Sequence, residues 1–248
     1  AGASFSGRMP CSEVADAIVG SGRRALEEAT NFIETSEPGA RVVYGDTDSV
    51  FVHLPGATLE EAFVIGRRLS RDISALHPEP IELEFEKVYM PCFLQSKKRY
   101  AGLMYSKAPS EGGEPKFEAK GVEAIRRDQC RFASGVQRKL LEELFQTRDL
   151  SAVRRSFERV AGDLLRGGTH GPDLPDFVFN REVRFGTYRA EEPSAAGYAT
   201  LPPQAAVARS RMAASEGSES VGPSYGERVS YVVTCGAPGA RLVARCPA

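Results

Sequence analysis

Apolar residues recur along the first part of the chain with two different periods, and the switches between them mark its elements. After Pro10, the residues Val14, Ala17, Ile18, Ala25, Ala29, Phe32 and Ile33 follow a helical period, which predicts an amphipathic helix ending before Pro38-Gly39. Arg41-Val42-Val43-Tyr44 and Ser49-Val50-Phe51-Val52-His53-Leu54 are β-prone runs flanking Gly45-Asp46-Thr47-Asp48, so the pattern predicts strand, tight turn, strand. Thr58-Leu59-Glu60-Glu61 has the form of a capping box, and Ala62, Phe63, Ile65, Leu69 and Ile73 carry it on as a second helix. His77-Pro78-Glu79-Pro80 stops that helix, because proline excludes the helical conformation from the residue before it. From Ile81 to Tyr89 the period becomes two, with Leu83, Phe85 and Tyr89 on one face and Glu82, Glu84 and Glu86 on the other.

A further strand is predicted over about 99–105, followed by a Gly/Pro/Ser-rich hairpin loop from Pro109 to Pro115. After Lys120-Gly121 the helical period returns. Val122, Ile125, Phe132, Val136, Leu140, Leu141, Leu144 and Phe145 predict one long helix, broken near Thr147-Arg148-Asp149. Leu150, Val153, Phe157, Val160, Leu164 and Leu165 predict another, closed by Gly167-Gly168. Residues 191–225 are rich in Ala, Ser, Gly and Pro with few large apolar side chains, a composition that predicts little order. Residues 228–243 regain some strand character. The order of elements predicts an α+β fold: an antiparallel sheet with packed helices over residues 1–117, then a mainly helical domain over 118–248.

Composition narrows the classes further. The chain has 248 residues and a formal net charge of -1, and no stretch is long and apolar enough to span a membrane. Cys11, Cys92, Cys130, Cys235 and Cys246 are scattered, without the paired spacing of a zinc site or a disulfide framework. The balanced total hides a pattern. Glu79, Glu82, Glu84 and Glu86 crowd together, and Lys97-Lys98-Arg99 follow at once. From Lys116 to Arg189 there are 15 Lys/Arg against 11 Asp/Glu. An acidic pocket beside a basic stripe suits a metal-dependent enzyme acting on a polyanion, and charge clusters on solvated faces have the same look.

Asp46 and Asp48 are the leading candidates for chemistry, since two carboxylates at a turn offer the oxygen ligands that Mg²⁺ prefers. An Asx-turn capping its own backbone is the competing reading of Asp-x-Asp alone. An EF-hand is excluded: with Asp46 as loop position one, Phe51 and Ala57 stand where Gly and Glu are needed. A glycosyltransferase using Asp-x-Asp to hold a nucleotide-sugar calls for a nucleotide-binding domain ahead of the turn, and nothing in the chain resembles one.

Five motifs stand in a telling order: Ser6-Gly7-Arg8-Met9-Pro10-Cys11, Tyr44-Gly45-Asp46-Thr47-Asp48-Ser49, Glu84-Phe85-Glu86-Lys87-Val88-Tyr89, Lys97-Lys98-Arg99-Tyr100, and Lys120-Gly121-Val122-Glu123-Ala124-Ile125-Arg126-Arg127-Asp128. Together they resemble the C-terminal palm and thumb of family B DNA polymerases. Phe5 to Cys11 and Phe145-Gln146-Thr147-Arg148-Asp149-Leu150 are more similar to the zeta-type, translesion branch than to the delta-type replicative branch. The likeness is specific from Ser4 to about Asp149, looser through Asp176-Phe177-Val178-Phe179, and poor over 191–225.

The resemblance implies a DNA-templated DNA polymerase that adds dNTPs to a primer 3′-hydroxyl with two Mg²⁺ ions. It implies that Asp48 is a direct metal ligand, that Asp46 acts through water or in support, and that Glu86 is a further carboxylate near the metals. Without the resemblance, Glu86 reads as part of an exposed polar strand face. Lys97, Lys98, Arg99 and Tyr100 are implied to meet primer-template DNA; alone they read as a solvated strand end. Lys120, Arg126 and Arg127 are implied thumb contacts to the duplex, although an ion-paired helix face explains Arg126 and Arg127 equally well. Tyr44 and Thr47 are placed at the primer end, with a buried strand aromatic as the alternative for Tyr44. Implied partners are primer-template DNA, dNTP and accessory polymerase subunits, with a nuclear location and no membrane. The family's upstream metal Asp and nucleotide-gripping helix are expected ahead of Ala1, so the segment by itself is expected to be inactive. The iron–sulfur cluster of the zeta branch is expected to lie beyond it. A non-catalytic duplex-binding module that kept the palm shape is the remaining alternative; losing Asp48 or Glu86 would favour it, and both are present.

Overall fold

The computed structural model describes residues 11–166, 173–188, 201–214, 222–236 and 242–246. The motif over 5–10 therefore lies outside the described residues. The fold is α+β, with antiparallel strand pairs and packed helices. The chain divides into two compact units, residues 1–118 and 119–248.

In the first unit, helix α1 (Ser12–Ser36) precedes the antiparallel hairpin β1 (Arg41–Asp46) and β2 (Ser49–His53), followed by helix α2 (Leu59–Ser74). The capping box forms as expected: Thr58 Oγ1 accepts from the Glu61 backbone N–H at 3.3 Å, and Glu61 Oε2 accepts from the Thr58 N–H at 2.8 Å. The Thr58 backbone N–H, joined by the Thr58 hydroxyl donating to the same carboxyl oxygen at 2.9 Å, holds the Glu61 carboxyl below its usual range. Ala29, Ile33, Ala40, Leu69 and Ile73 form the buried core, covered by Val42, Val50, Val52 and Leu54 from the hairpin. Glu34 of α1 adds a polar tie by accepting from the Val42 N–H at 3.0 Å. Next come β3 (Val88–Ser96), β4 (Arg99–Tyr105) and β5 (Lys116–Lys120), in that sheet order, with β3 and β4 antiparallel.

The expected strand from Ile81 to Tyr89 is corrected. Pairing starts only at Val88, and residues 81–87 are extended without a ladder. Their alternation is real, since Leu83 and Phe85 are half-buried while Glu82, Glu84 and Glu86 are exposed. The backbone partners of this segment are hydroxyls of α2. Ser70 Oγ donates to the Leu83 carbonyl at 2.6 Å, and the Leu83 N–H donates to Ser74 Oγ at 2.9 Å. Phe85 fills a notch left by Gly66, where an added Cβ would lie 2.2 Å from the ring, and it meets Phe63 edge-on at 5.5 Å.

In the second unit, the helix expected to begin near Val122 begins later. Val122 is buried, Glu123–Ile125 form a single 3₁₀ turn, and helix α3 spans Arg131–Thr147. Ser134 and Gln137 of α3 hold that turn, through Ser134 Oγ to the Glu123 carbonyl at 3.0 Å and Gln137 Nε2 to Glu123 Oε2 at 3.1 Å. Arg148 closes α3 in the left-handed conformation (φ 54°), and Asp149 then caps helix α4 (Leu150–Leu165) by accepting from the Ser151 N–H at 2.7 Å. Strand β6 (Phe179–Glu182) pairs antiparallel with a strand late in the chain, β7 (Arg228–Tyr231).

Between β6 and β7, residues 203–214 form helix α5 inside the stretch expected to have little order. The parts of that stretch over 191–200 and 215–221 lie outside the described residues. Ala205, Ala206, Val207 and Ala208 are buried with Leu201, Val183, Val229 and Tyr231 in the core of this unit. Small side chains that read as weakly hydrophobic let α5 lie close against the strand pair.

Candidate functional site

The first unit brings several candidate residues onto two facing turns. The first turn ends β1. Its burial alternates along the strand, so Val42, Tyr44 and Asp46 share the more covered face, and an irregularity between Val42 and Tyr44 sets the register of the tip. The reversal is sharp: the Asp48 N–H donates to the Asp46 carbonyl at 2.6 Å, with Thr47 between them at φ 56°. A β-branched residue in the left-handed region is strained by about 1–3 kcal/mol, and such strain clusters at functional sites. Ser49 Oγ donates to the same Asp46 carbonyl at 3.2 Å. Asp48 is left exposed at the tip, and Asp46 is half-covered beside it.

The second turn joins β3 to β4 through Lys97 and Lys98, with Ser96 paired to Arg99 across it. Lys98 also adopts a positive φ, 61°. Its backbone N–H donates to the Tyr44 hydroxyl at 2.7 Å, and its ammonium lies 3.4 Å from Asp46 Oδ1. Lys97 is exposed, Arg99 is half-buried at the start of β4, and Tyr100 is buried. Under the two turns lies an aromatic platform. Tyr44 packs on Phe51 at 5.4 Å and Tyr100 at 6.3 Å, Phe51 meets Tyr100 at 5.0 Å, and Tyr89 stacks on Phe51 at 5.7 Å. Tyr44 is thus a packed aromatic with a hydroxyl in use at the neighbouring turn.

The acidic strand-like segment contributes less directly. Glu86 is exposed, with Lys87 Nζ 3.9 Å from its Oε2, while Lys87 is committed to Glu118 at 3.0 Å and lies over the Tyr89 ring at 5.7 Å. Burial, with the nearby Glu118 carboxylate, pushes the Tyr89 phenol well above its usual range. Among the described residues, no three His, Cys, Asp or Glu side chains come together as a metal cage. The donor set at the tip is therefore two hard carboxylate oxygens sources, Asp46 and Asp48. That set fits Mg²⁺, which is commonly held by one or two carboxylates together with substrate phosphates.

The second unit holds a basic groove of about 550 Å³. Arg126, Arg127 and Arg131 line it with Asn180 and Ser230. Arg126 is fixed by two 2.8 Å hydrogen bonds to Asp128, which raise the guanidinium pKa and hold the Asp128 carboxyl below its usual range. Arg127 is exposed, and Lys120 is exposed at the end of β5. Sequence reading missed Phe51, Tyr89 and Glu118 under the turns and Arg131, Asn180 and Ser230 in the groove. Only Arg131 carried a local signal, as a cation two residues beyond Gln129 in a basic stretch; the others join through contacts distant in sequence.

A hairpin tip with paired carboxylates thus lies against a lysine turn in this α+β unit. Residues 1–247 match the family "DNA polymerase family B", and the chain belongs to that family. It is 45% identical over 244 residues to the DNA polymerase zeta catalytic subunit of Schizosaccharomyces pombe, covering 98% of this chain and 16% of that protein. It is 46% identical over 242 residues to the zeta catalytic subunit of Arabidopsis thaliana, with 97% and 12% covered. Similarity to the DNA polymerase delta catalytic subunit of Bos taurus is lower, 35% over 240 residues, with 94% and 20% covered. The chain thus spans a fifth or less of the length of these relatives.

Proposed function

We propose that this chain supplies the primer-side half of the active site of a zeta-type DNA polymerase, which adds dNTPs to a primer 3′-hydroxyl on a DNA template during translesion synthesis. The observation that carries the reading is the docking of the Asp46-Thr47-Asp48 tip against the Lys97-Lys98 turn through Tyr44 and Lys98. It sets the Asp46 carboxylate beside the Lys98 ammonium, which supports a site where carboxylates hold metal and cations meet phosphate. The higher identity to zeta than to delta catalytic subunits supports the translesion assignment.

In this reading residues 1–117 are the palm and 118–248 the thumb. Asp48, exposed at the tip, holds Mg²⁺; Asp46 supports it; Glu86 is a further carboxylate near the metals. When bound, a pair of metal ions supplies Lewis-acid activation of the hydroxyl and neutralises charge on the triphosphate. The protein's own contribution is position and charge. Thr47 and Tyr44 set the tip beside the primer end. Lys97, Lys98 and Arg99, backed by the buried Tyr100, meet the duplex without reading its sequence. Lys120, Arg126 and Arg127 grip it further on. Accessory polymerase subunits and a nuclear location belong to the same proposal, and no helix among the described residues is long and apolar enough to cross a membrane.

The test is Asp48→Ala in the full-length enzyme. Nucleotide addition should be lost while primer-template binding persists, measured by primer extension and fluorescence anisotropy. Retained extension would remove Asp48 from the site.

A further inference from the structure

We propose that the Lys98 ammonium is the resident cation of the Asp46 carboxylate, displaced when a divalent metal takes that carboxylate and thereby freed for the primer-template, so that metal and duplex bind cooperatively. This rests on the function proposed above and adds a coupling to it.

Three observations define the device. The first is the shared acceptor. Asp46 Oδ1 lies 3.4 Å from Lys98 Nζ and accepts from the Thr47 hydroxyl at 3.2 Å, so the carboxylate that supports the metal site already has a cation beside it. The second is a fixed root. The Lys98 backbone N–H is held by the Tyr44 hydroxyl at 2.7 Å, and Tyr44 is wedged between Phe51 and Tyr100. The third is a loose head: the Lys98 side chain is 72% exposed. An exposed ion pair of this kind is weak, and a lysine stem is flexible, so the head changes partner at low cost while the turn stays in place.

The direction of exchange follows from charge. A dication close to the tip attracts the Asp46 carboxylate more strongly than a single ammonium does and repels that ammonium. The displaced head needs an anion, and the neighbouring duplex is a line of them. Because the two binding events share one side chain, the coupling is reciprocal: metal tightens duplex binding by the same factor as duplex tightens metal binding.

The experiment uses the full-length enzyme without dNTP, with Mn²⁺ alone followed by electron paramagnetic resonance and a primer-template followed by anisotropy. In the wild type each ligand should tighten the other by about two- to fivefold, the range that an exposed pair can supply. Lys98→Met should bind Mn²⁺ about two- to fivefold more tightly in the absence of DNA, by removing the competing cation, and should bring the coupling factor close to one. Lys97→Met removes the same charge one residue from the Asp46–Lys98 pair; as a duplex contact it should weaken primer-template binding, yet leave Mn²⁺ affinity without DNA and the coupling factor near wild type. Unchanged Mn²⁺ affinity in Lys98→Met overturns the inference, as does an equal gain in Lys97→Met, which would mark a general field effect. Asp48→Ala separates the two levels. If it loses Mn²⁺ while Lys98→Met behaves as wild type, the coupling fails and the functional reading stands. If it binds Mn²⁺ as the wild type does, the metal assignment fails and takes the coupling with it.

Discussion

Under the proposed function the hairpin tip of the first unit and the basic groove of the second carry charge for the same polyanion, yet they are built in opposite ways. At the tip, placement comes from the backbone: residues with positive φ at Thr47 and Lys98, a main-chain hydrogen bond closing the turn, and a main-chain donor docked on Tyr44. In the groove, placement comes from side chains, with Arg126 clamped by Asp128 and Arg131 3.9 Å from Asp176. A backbone-built site holds two carboxylates within the small tolerance that metal chemistry demands. A side-chain-built groove adapts to successive phosphates at little cost. The first should therefore be sensitive to added atoms, and the second to the loss of a single guanidinium.

The largest expected effect probes added atoms next to the tip. Gly102 lies in β4, two residues from Tyr100, and a Cβ there would sit 2.8 Å from the Pro91 carbonyl oxygen and 2.9 Å from Tyr89. Backbone cannot step aside, so Gly102→Ala should destabilise the chain by about 1–3 kcal/mol in urea unfolding. Gly66→Ala meets the Phe85 ring instead. The double substitution Gly66→Ala with Phe85→Leu should recover part of that loss, since the obstacle there is a side chain. No recovery would mean that the α2 backbone, not the ring, sets the notch.

Thr47→Gly should act with the opposite sign. Glycine adopts the positive φ without strain, and the relief outweighs the added chain entropy by about 1 kcal/mol. Unfolding midpoints should rise while primer extension by the full-length enzyme falls, because the tip gains freedom. A rise in both would show that strain at Thr47 serves no positioning purpose.

Salt should test the groove directly. Removing the exposed Arg127 should weaken primer-template binding evenly across sequences and lower the slope of log affinity against log salt by about one. Tyr44→Phe, which removes only the acceptor of the Lys98 N–H, should leave that slope alone and slow extension. Equal slopes for wild type and Arg127→Ala would take the groove out of the DNA interface.

Much of this was legible in the sequence where the signal is local. The capping box at Thr58, the helix α1 and the Asp46–Asp48 turn are written in neighbouring residues and form as read, although of the apolar set of α1 only Ala29 and Ile33 are buried while Val14, Ala17 and Ile18 are exposed. The misreadings fall where partners are distant. Residues 81–87 alternate as a strand does, but Ser70 and Ser74 take the place of a neighbouring strand. Val122 and Ile125 fit a helical period, yet they flank a 3₁₀ turn tied to α3 by Ser134 and Gln137. Helix α5 is built of alanines whose burial depends on a strand pair elsewhere in the chain. The motifs alone pointed to the carboxylates and the lysines as candidates, but the contact of Lys98 with Tyr44 bridges 54 positions and has no local signature.

The smallest effect concerns the clamp that orients Arg126. Its hydrogen bonds, the chief cause, hold Asp128 below the usual carboxylate range in the folded chain, whereas unfolding returns that group to about 3.9. A carboxyl with a depressed folded pKa stabilises the fold above its unfolded pKa and loses that contribution as pH falls through the folded value. Wild type should therefore hold the advantage of the clamp at pH 6 and lose it below about pH 4. Because the pair is partly exposed, the advantage should be under about 1 kcal/mol. Asp128→Asn keeps the shape and removes the charge, so its urea midpoint should trail the wild type at pH 6 and converge with it near pH 3. A constant gap across that range would assign the role of Asp128 to packing, and the groove would then be held by shape, as the tip is by its backbone.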